Sequence, residues 1–190
     1  WVNTPVEMVD LMAKEYGIDY RNIEEIVVNP PTQYRMHYEK DGFDTLMAAQ
    51  FSIPYVIAAS LIDPQPGPNW YTGEMFRNPE LLELAGKVKA GPDKEDTLLG
   101  AFHIFQEGSH PEKTVTITMK DGTVYKKTQR THKGHPLDMM SREEFCDRFR
   151  RQASFALDQE QTERIIDFVL NLDTVEDMSL FHELIRGDVG

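Results

Sequence analysis

Tyr34, His37, Tyr38 and Tyr55 form the one cluster of hydroxyl and imidazole side chains near the chain's long apolar run, Ala48 to Asp63. A tyrosine hydroxyl can orient a carboxylate or act as a general acid. Buried tyrosines more often only satisfy a core hydrogen bond. The other chemistry-bearing residues are weaker candidates. The six histidines are His37, His103, His110, His132, His135 and His182. Only His132 and His135 stand close together, and no Cys or carboxylate sits at the offsets a zinc site uses. Two solvated loop histidines are the simpler reading, and no metal site is expected. Cys146 falls inside an amphipathic helical pattern and reads as a structural thiol. The carboxylate pairs Glu24/Glu25 and Glu143/Glu144 read as solvated faces, because sequence proximity without burial does not perturb a pKa. No Gly-rich loop precedes a helix as a nucleotide phosphate site requires. On residues alone there is no complete catalytic set.

The apolar run is the element that must position these candidates. It is shorter than the ~20 apolar residues a bilayer span needs, and Gln50, Ser52, Pro54 and Ser60 interrupt it. An all-round apolar helix of this kind is a buried helix. Pro54 places the helix start near itself, with Ser52 as N-cap. Gln50, Phe51 and Ser52 then form a tight turn before the helix, whose N–H groups are expected to be available to a carboxylate. Tyr55 in the first turn could still reach an opening.

Around that helix the chain alternates. Thr4-Pro5-Val6-Glu7 reads as a capping box opening a helix, with Val6, Val9, Ala13 and Tyr16 on one face, Met12 beside them, and Gly17 as its stop. Residues 22–28 read as a strand, 29–44 as a polar-aromatic loop, and 78–86 as a helix begun by Asn78-Pro79-Glu80. Lys87 to Ala90 is a short strand and 91–112 is irregular. Thr114 to Met119 alternates strictly, Asp121-Gly122 is a hairpin turn, and Thr123 to Arg130 returns. Ser141-Arg-Glu-Glu144 and Asp158-Gln-Glu-Gln161 start two helices, and Asp173 to Leu184 a third. The order predicts an α+β fold: a two-layer sandwich, mainly one antiparallel sheet with helices packed on it, forming a single domain over residues 1–190.

A formal net charge of −12 opposes nucleic acid or an anionic membrane as a main partner. Cys146 is the sole cysteine, so no intrachain disulfide forms, which fits a reducing, cytoplasmic setting. No signal peptide or transmembrane run is expected. The chain opens on Trp1 rather than Met, so either residues have been removed or this is a piece of a longer protein.

Gln50-Phe-Ser-Ile-Pro-Tyr-Val-Ile-Ala-Ala-Ser-Leu-Ile-Asp63 resembles the signature of the 2-methylcitrate dehydratase and cis-aconitate decarboxylase family, also called MmgE/PrpD. Arg77-Asn-Pro-Glu80 with Leu84-Ala-Gly-Lys-Val88, Thr114 to Gly122, Lys133-Gly-His-Pro-Leu-Asp-Met-Met-Ser141 with Glu144-Phe145, and Ile165 to Ser179 resemble further family pieces in the family's order. The resemblance implies the smaller α+β C-terminal domain, which covers the cleft of a helical N-terminal domain absent from this chain. It implies a cofactor-free lyase or isomerase acting on small di- or tricarboxylic acids by dehydration, decarboxylation or epimerisation. It also implies a homodimer in the full-length protein. Carried residue by residue, it makes Tyr55 catalytic and Gln50 and Ser52 substrate-binding. Two segments depart from the family pattern: Trp1-Val-Asn-Thr4, and the loop Tyr34 to Asp44. The alternative reading is a non-catalytic ligand-binding or regulatory module with the same fold.

Overall fold

The computed structural model describes residues 2–32, 34–107 and 111–186. Two compact units are present, Trp1–Met139 and Met140–Gly190. His110 of the sequence reading lies outside the described residues.

The first unit opens with α1, Asn3–Tyr16, which Gly17 ends in a left-handed conformation at φ 63°. The expected capping box does not form. The helix begins before Thr4, Val2 offers no side-chain cap, and Thr4 and Glu7 turn instead to the loop at 132–133. The buried face is also rotated: Met8, Val9 and Met12 are buried, while Tyr16 is exposed and stacks on Tyr125 at 4.6 Å.

Strand β1, Ile23–Asn29, buries Ile23, Ile26 and Val28. An odd spacing on one face needs a slip, and the register shifts between Ile23 and Glu25. That bulge absorbs the Glu24-Glu25 break in alternation. After a loop come α2, Leu46–Gln50, and α3, Ile53–Ile62. Next are α4, Pro79–Gly86, capped by Asn78 to Glu80 and Leu81, and β2, Val88–Ala90. Helix α5, Leu98–Gln106, lies in the stretch read as irregular. The hairpin of β3, Lys113–Met119, and β4, Val124–Gln129, completes the unit.

The four strands lie in the order β2-β1-β3-β4. β1 pairs antiparallel with β3, and β3 with β4, while β2 joins β1 in parallel. The parallel edge follows from the crossover through α2, α3 and α4. One sheet face buries Ile26, Val28, Val115 and Ile117 against the helices, with α1 and α3 packed together over them. The fold is α+β, two layers, as the order of elements predicts.

The second unit contains α6, Arg142–Ala153, α7, Gln159–Leu170, and α8, Ser179–Ile185. Its first capping box is formed as read, with Ser141 and Glu144 exchanging side-chain and backbone bonds. Arg150 joins α6 to α7 through Glu163, at 2.7 and 3.0 Å, and also holds Asp147 at 2.7 Å. These partners raise the Arg150 pKa and lower that of Glu163. No helix among the described residues is long and apolar enough to cross a membrane.

Candidate functional site: the turn between α2 and α3

Two short helices meet where the sequence predicts a single helix and its approach turn. Thr45 caps α2, its hydroxyl accepting from Ala48 N–H at 3.1 Å. Gln50 is therefore the last residue of α2 and is half-buried, and Phe51 and Ser52 make the turn. Pro54 lacks the N–H that would bond back to Gln50, so α2 cannot run on into α3. Ser52 caps α3, accepting from Tyr55 N–H at 3.2 Å. That expectation holds.

The loop before α2 is stitched along this turn at three points. Ile53 N–H donates to the Arg35 carbonyl at 2.7 Å. The Ser52 hydroxyl donates to the His37 carbonyl at 2.6 Å, and His37 Nε2–H donates to the Ala48 carbonyl at 3.1 Å. A fourth contact is made by side chains: the Arg35 guanidinium carbon lies 4.3 Å from the centre of the Phe51 ring. Within the loop stands Gly42, whose φ of +101° and closeness to the Phe76 carbonyl leave no room for a Cβ.

These bonds overturn one expectation. The N–H groups opening α3 are not available to a carboxylate, because Ile53 N–H is given to Arg35, Tyr55 N–H to Ser52 and Val56 N–H to the Ser52 carbonyl. Pro54 has none. A polar group approaching this turn meets side chains, not a helix terminus.

Tyr55 and Ser52 are both fully buried. The Tyr55 ring packs edge-on to Phe43 at 4.8 Å, with Phe76 and Tyr71 beside it. Its hydroxyl donates to the Trp70 carbonyl, and Trp70 Nε1–H in turn donates to the Asp63 carbonyl at 3.0 Å. Burial, and then the neighbouring Tyr71, push the Tyr55 pKa well above the phenol range. The hydroxyl is held in its protonated form by burial, and its hydrogen is committed to the Trp70 carbonyl.

Of the sequence cluster, His37 and Tyr55 meet around Phe43, which lies 5.8 Å from His37, ring to ring. Tyr34, with φ 61°, points largely into solvent, and Tyr38 is exposed. Leu46, Met47 and Phe51 are also exposed, which gives the outer side of α2 an apolar character. Sequence reasoning missed Arg35, because its contact with Phe51 joins two segments with no shared local pattern.

The other histidine pair is used elsewhere. The His132 and His135 rings are 5.9 Å apart. His132 bonds Asn3 and Thr4 at 3.3 Å each, and His135 Nδ1 accepts from Leu137 N–H. The loop 132–138 is thus fastened onto the start of α1, with Lys133 N–H donating to Glu7 at 2.7 Å.

The comparisons with known proteins converge on one family. The model of the MmgE/PrpD C-terminal domain matches residues 2–174. Cis-aconitate decarboxylase of Mus musculus is 30% identical over 172 residues, covering 87% of this chain and 32% of that protein. Cis-aconitate decarboxylase of Homo sapiens is 29% identical over 140 residues, covering 73% of this chain and 27% of that protein. The chain thus spans about a third of the length of these curated relatives. With the family's motifs in order and its model matched from one end of the sheet unit into the helical unit, the chain belongs to the MmgE/PrpD family and carries its C-terminal domain.

Proposed function

We propose that this chain is the substrate-covering domain of a cofactor-free lyase or isomerase that acts on small di- or tricarboxylic acids. The observation that carries the reading is the similarity, over most of the chain, to part of two cis-aconitate decarboxylases. Proton or CO2 loss beside a carboxylate needs a base, an acid and groups that hold carboxylates. In this reading the α2–α3 turn would contribute part of such a set. The rest would come from a helical N-terminal portion, and the complete protein would be a cytoplasmic homodimer. A longer protein carrying these 190 residues should turn over cis-aconitate, 2-methylcitrate or a close analogue in metal-chelated buffer. The 190-residue chain alone should not. Turnover by the isolated chain would overturn this reading, and acid binding without turnover by the longer protein would replace it with the binding-module alternative.

Within this reading Gln50, half-buried at the end of α2, contacts the substrate. Ser52 and Tyr55 fix the turn that presents it. Tyr55→Phe removes one hydroxyl and leaves the Trp70 carbonyl buried without its donor. The expected cost is about 1–3 kcal/mol of stability, read as a lower denaturant midpoint. In the longer protein the expected fall in kcat is less than about tenfold. A ~10²-fold fall in kcat with unchanged stability would instead make Tyr55 the proton donor of the reaction.

A further inference from the structure

Arg35 stands apart from the other arginines of its unit. Among the described residues, Arg21 lies 3.2 Å from Glu80, Arg77 lies 3.5 Å from Asp44, and Arg130 lies 3.5 Å from Glu112. Among the described residues no carboxylate lies within ion-pair distance of Arg35, in a chain with 32 acidic and 20 basic residues. Its backbone and side chain are nonetheless held by their neighbours. Its N–H donates to the Thr32 carbonyl at 3.0 Å, its carbonyl accepts from Ile53 at 2.7 Å, and its guanidinium lies over Phe51. A guanidinium carried on an aromatic face keeps its fork of N–H donors, and that fork matches a carboxylate in two-point fashion. Because backbone and side chain are already held, binding there forfeits little freedom. Gln50 precedes Phe51 in the chain, and Gln50 and Arg35 are both half-buried.

We propose that Arg35, carried on Phe51, binds one carboxylate of the di- or tricarboxylic acid, with Gln50 as its polar neighbour. The proposal rests on the substrate class of the preceding section and supplies the cation which that class requires. It gives the loop Tyr34 to Asp44 a purpose: the loop brings a positive charge to a turn whose own N–H groups are spent.

The test uses the 190-residue chain and tricarballylate (propane-1,2,3-tricarboxylate) as probe, followed by NMR at constant ionic strength. The Arg35 Nε–H and Gln50 side-chain signals should shift saturably, and the neutral trimethyl ester should shift neither. Arg35→Gln should weaken binding at least tenfold, and Arg35→Lys severalfold, because the charge stays but the fork is lost. If Arg35→Gln melts below the parent, Arg35→Lys carries the test. Saturable shifts elsewhere but not at Arg35, no saturable shifts at all, Arg35→Gln binding within twofold of the parent, or inorganic phosphate binding as well as tricarballylate would each overturn the proposal. Turnover separates it from the broader reading. An active longer protein whose Arg35→Gln variant keeps kcat/KM within twofold removes Arg35 and leaves the lyase. Tricarballylate held at Arg35 by an inactive longer protein keeps Arg35 and removes the lyase.

Discussion

Ile57→Asp should leave a chain without a cooperative melting transition. Ile57 is fully buried in the middle of α3, the helix on which α1, α4 and β2 converge. Every residue from Ile53 to Ser60 is buried, so the helix cannot rotate to bring the new carboxylate to water. The substitution forfeits about 1.5–3 kcal/mol of apolar burial. It also leaves an unpaired acid among Ile53, Val56, Ala58 and their partners, and a buried unpaired charge costs several kcal/mol more. The sum is comparable with the whole margin of a typical domain, about 5–15 kcal/mol. Near-UV circular dichroism should collapse, and far-UV melting should broaden or vanish. Val124→Thr, on the exposed outer strand, is the control and should stay within about 0.5 kcal/mol of the parent. An Ile57→Asp protein that melts within a degree or two of the parent would mean that α3 is not the centre of the core.

That helix was legible because burial on all sides leaves a compositional trace, a run without Lys, Arg or Glu. The β3–β4 hairpin was legible for an equally local reason: strict alternation of Val115, Ile117 and Met119 with threonines, closed by Asp121-Gly122. Local signals misled where tertiary contacts compete for the same side chain. Thr4 and Glu7 have the spacing of a capping box, yet each bonds a residue of the 132–133 loop, a choice no window around α1 reveals. Helix α5 was missed because LLGAFHIFQ carries only His103 and Gln106 as polar side chains, too few to set a period, and Gly100 reads as a breaker. Its cap is nonetheless present in Thr97, which accepts from Gly100 N–H at 3.0 Å. The parallel edge strand β2 is too short to show any pattern.

The site divides along the same line. Ser52 as cap follows from Ser-x-Pro chemistry and needs nothing distant. The Tyr55 hydroxyl was read as facing an opening, because a first-turn residue can do so. Its hydrogen goes instead to Trp70, brought close by the Pro-Gly segment that follows α3. The stitching of Arg35 and His37 to residues 48–53 pairs two strands of loop across α2, and nothing in either stretch alone foretells the partner.

Lys113→Ala should be the most damaging substitution of a charged residue in the sheet unit. Extending the alternation of β3 back by one step places Lys113 in the inward row with Val115 and Ile117, and it is 3% exposed. Its ammonium lies 2.6 Å from Asp96 and 2.9 Å from the Pro30 carbonyl. Asp96 is bound to the same place through its backbone, N–H to the Pro31 carbonyl at 2.8 Å, and bridges to Thr32. Removing the ammonium strands a largely buried carboxylate, and breaking a buried pair in this way costs about 3–5 kcal/mol. The charge itself is not what the fold requires. Lys113→Met with Asp96→Leu removes both charges while keeping apolar volume, and should recover most of the loss, because a buried pair gains little over a packed apolar one. Chemical denaturation of the two single variants and the double variant gives the coupling directly. The pair also anchors residues 30–32, and the Thr32 carbonyl accepts from Arg35 N–H, so Lys113→Ala should weaken tricarballylate binding in a protein that is still folded. A single variant within about 1 kcal/mol of the parent would show that water reaches Asp96 and that the pair holds nothing in place.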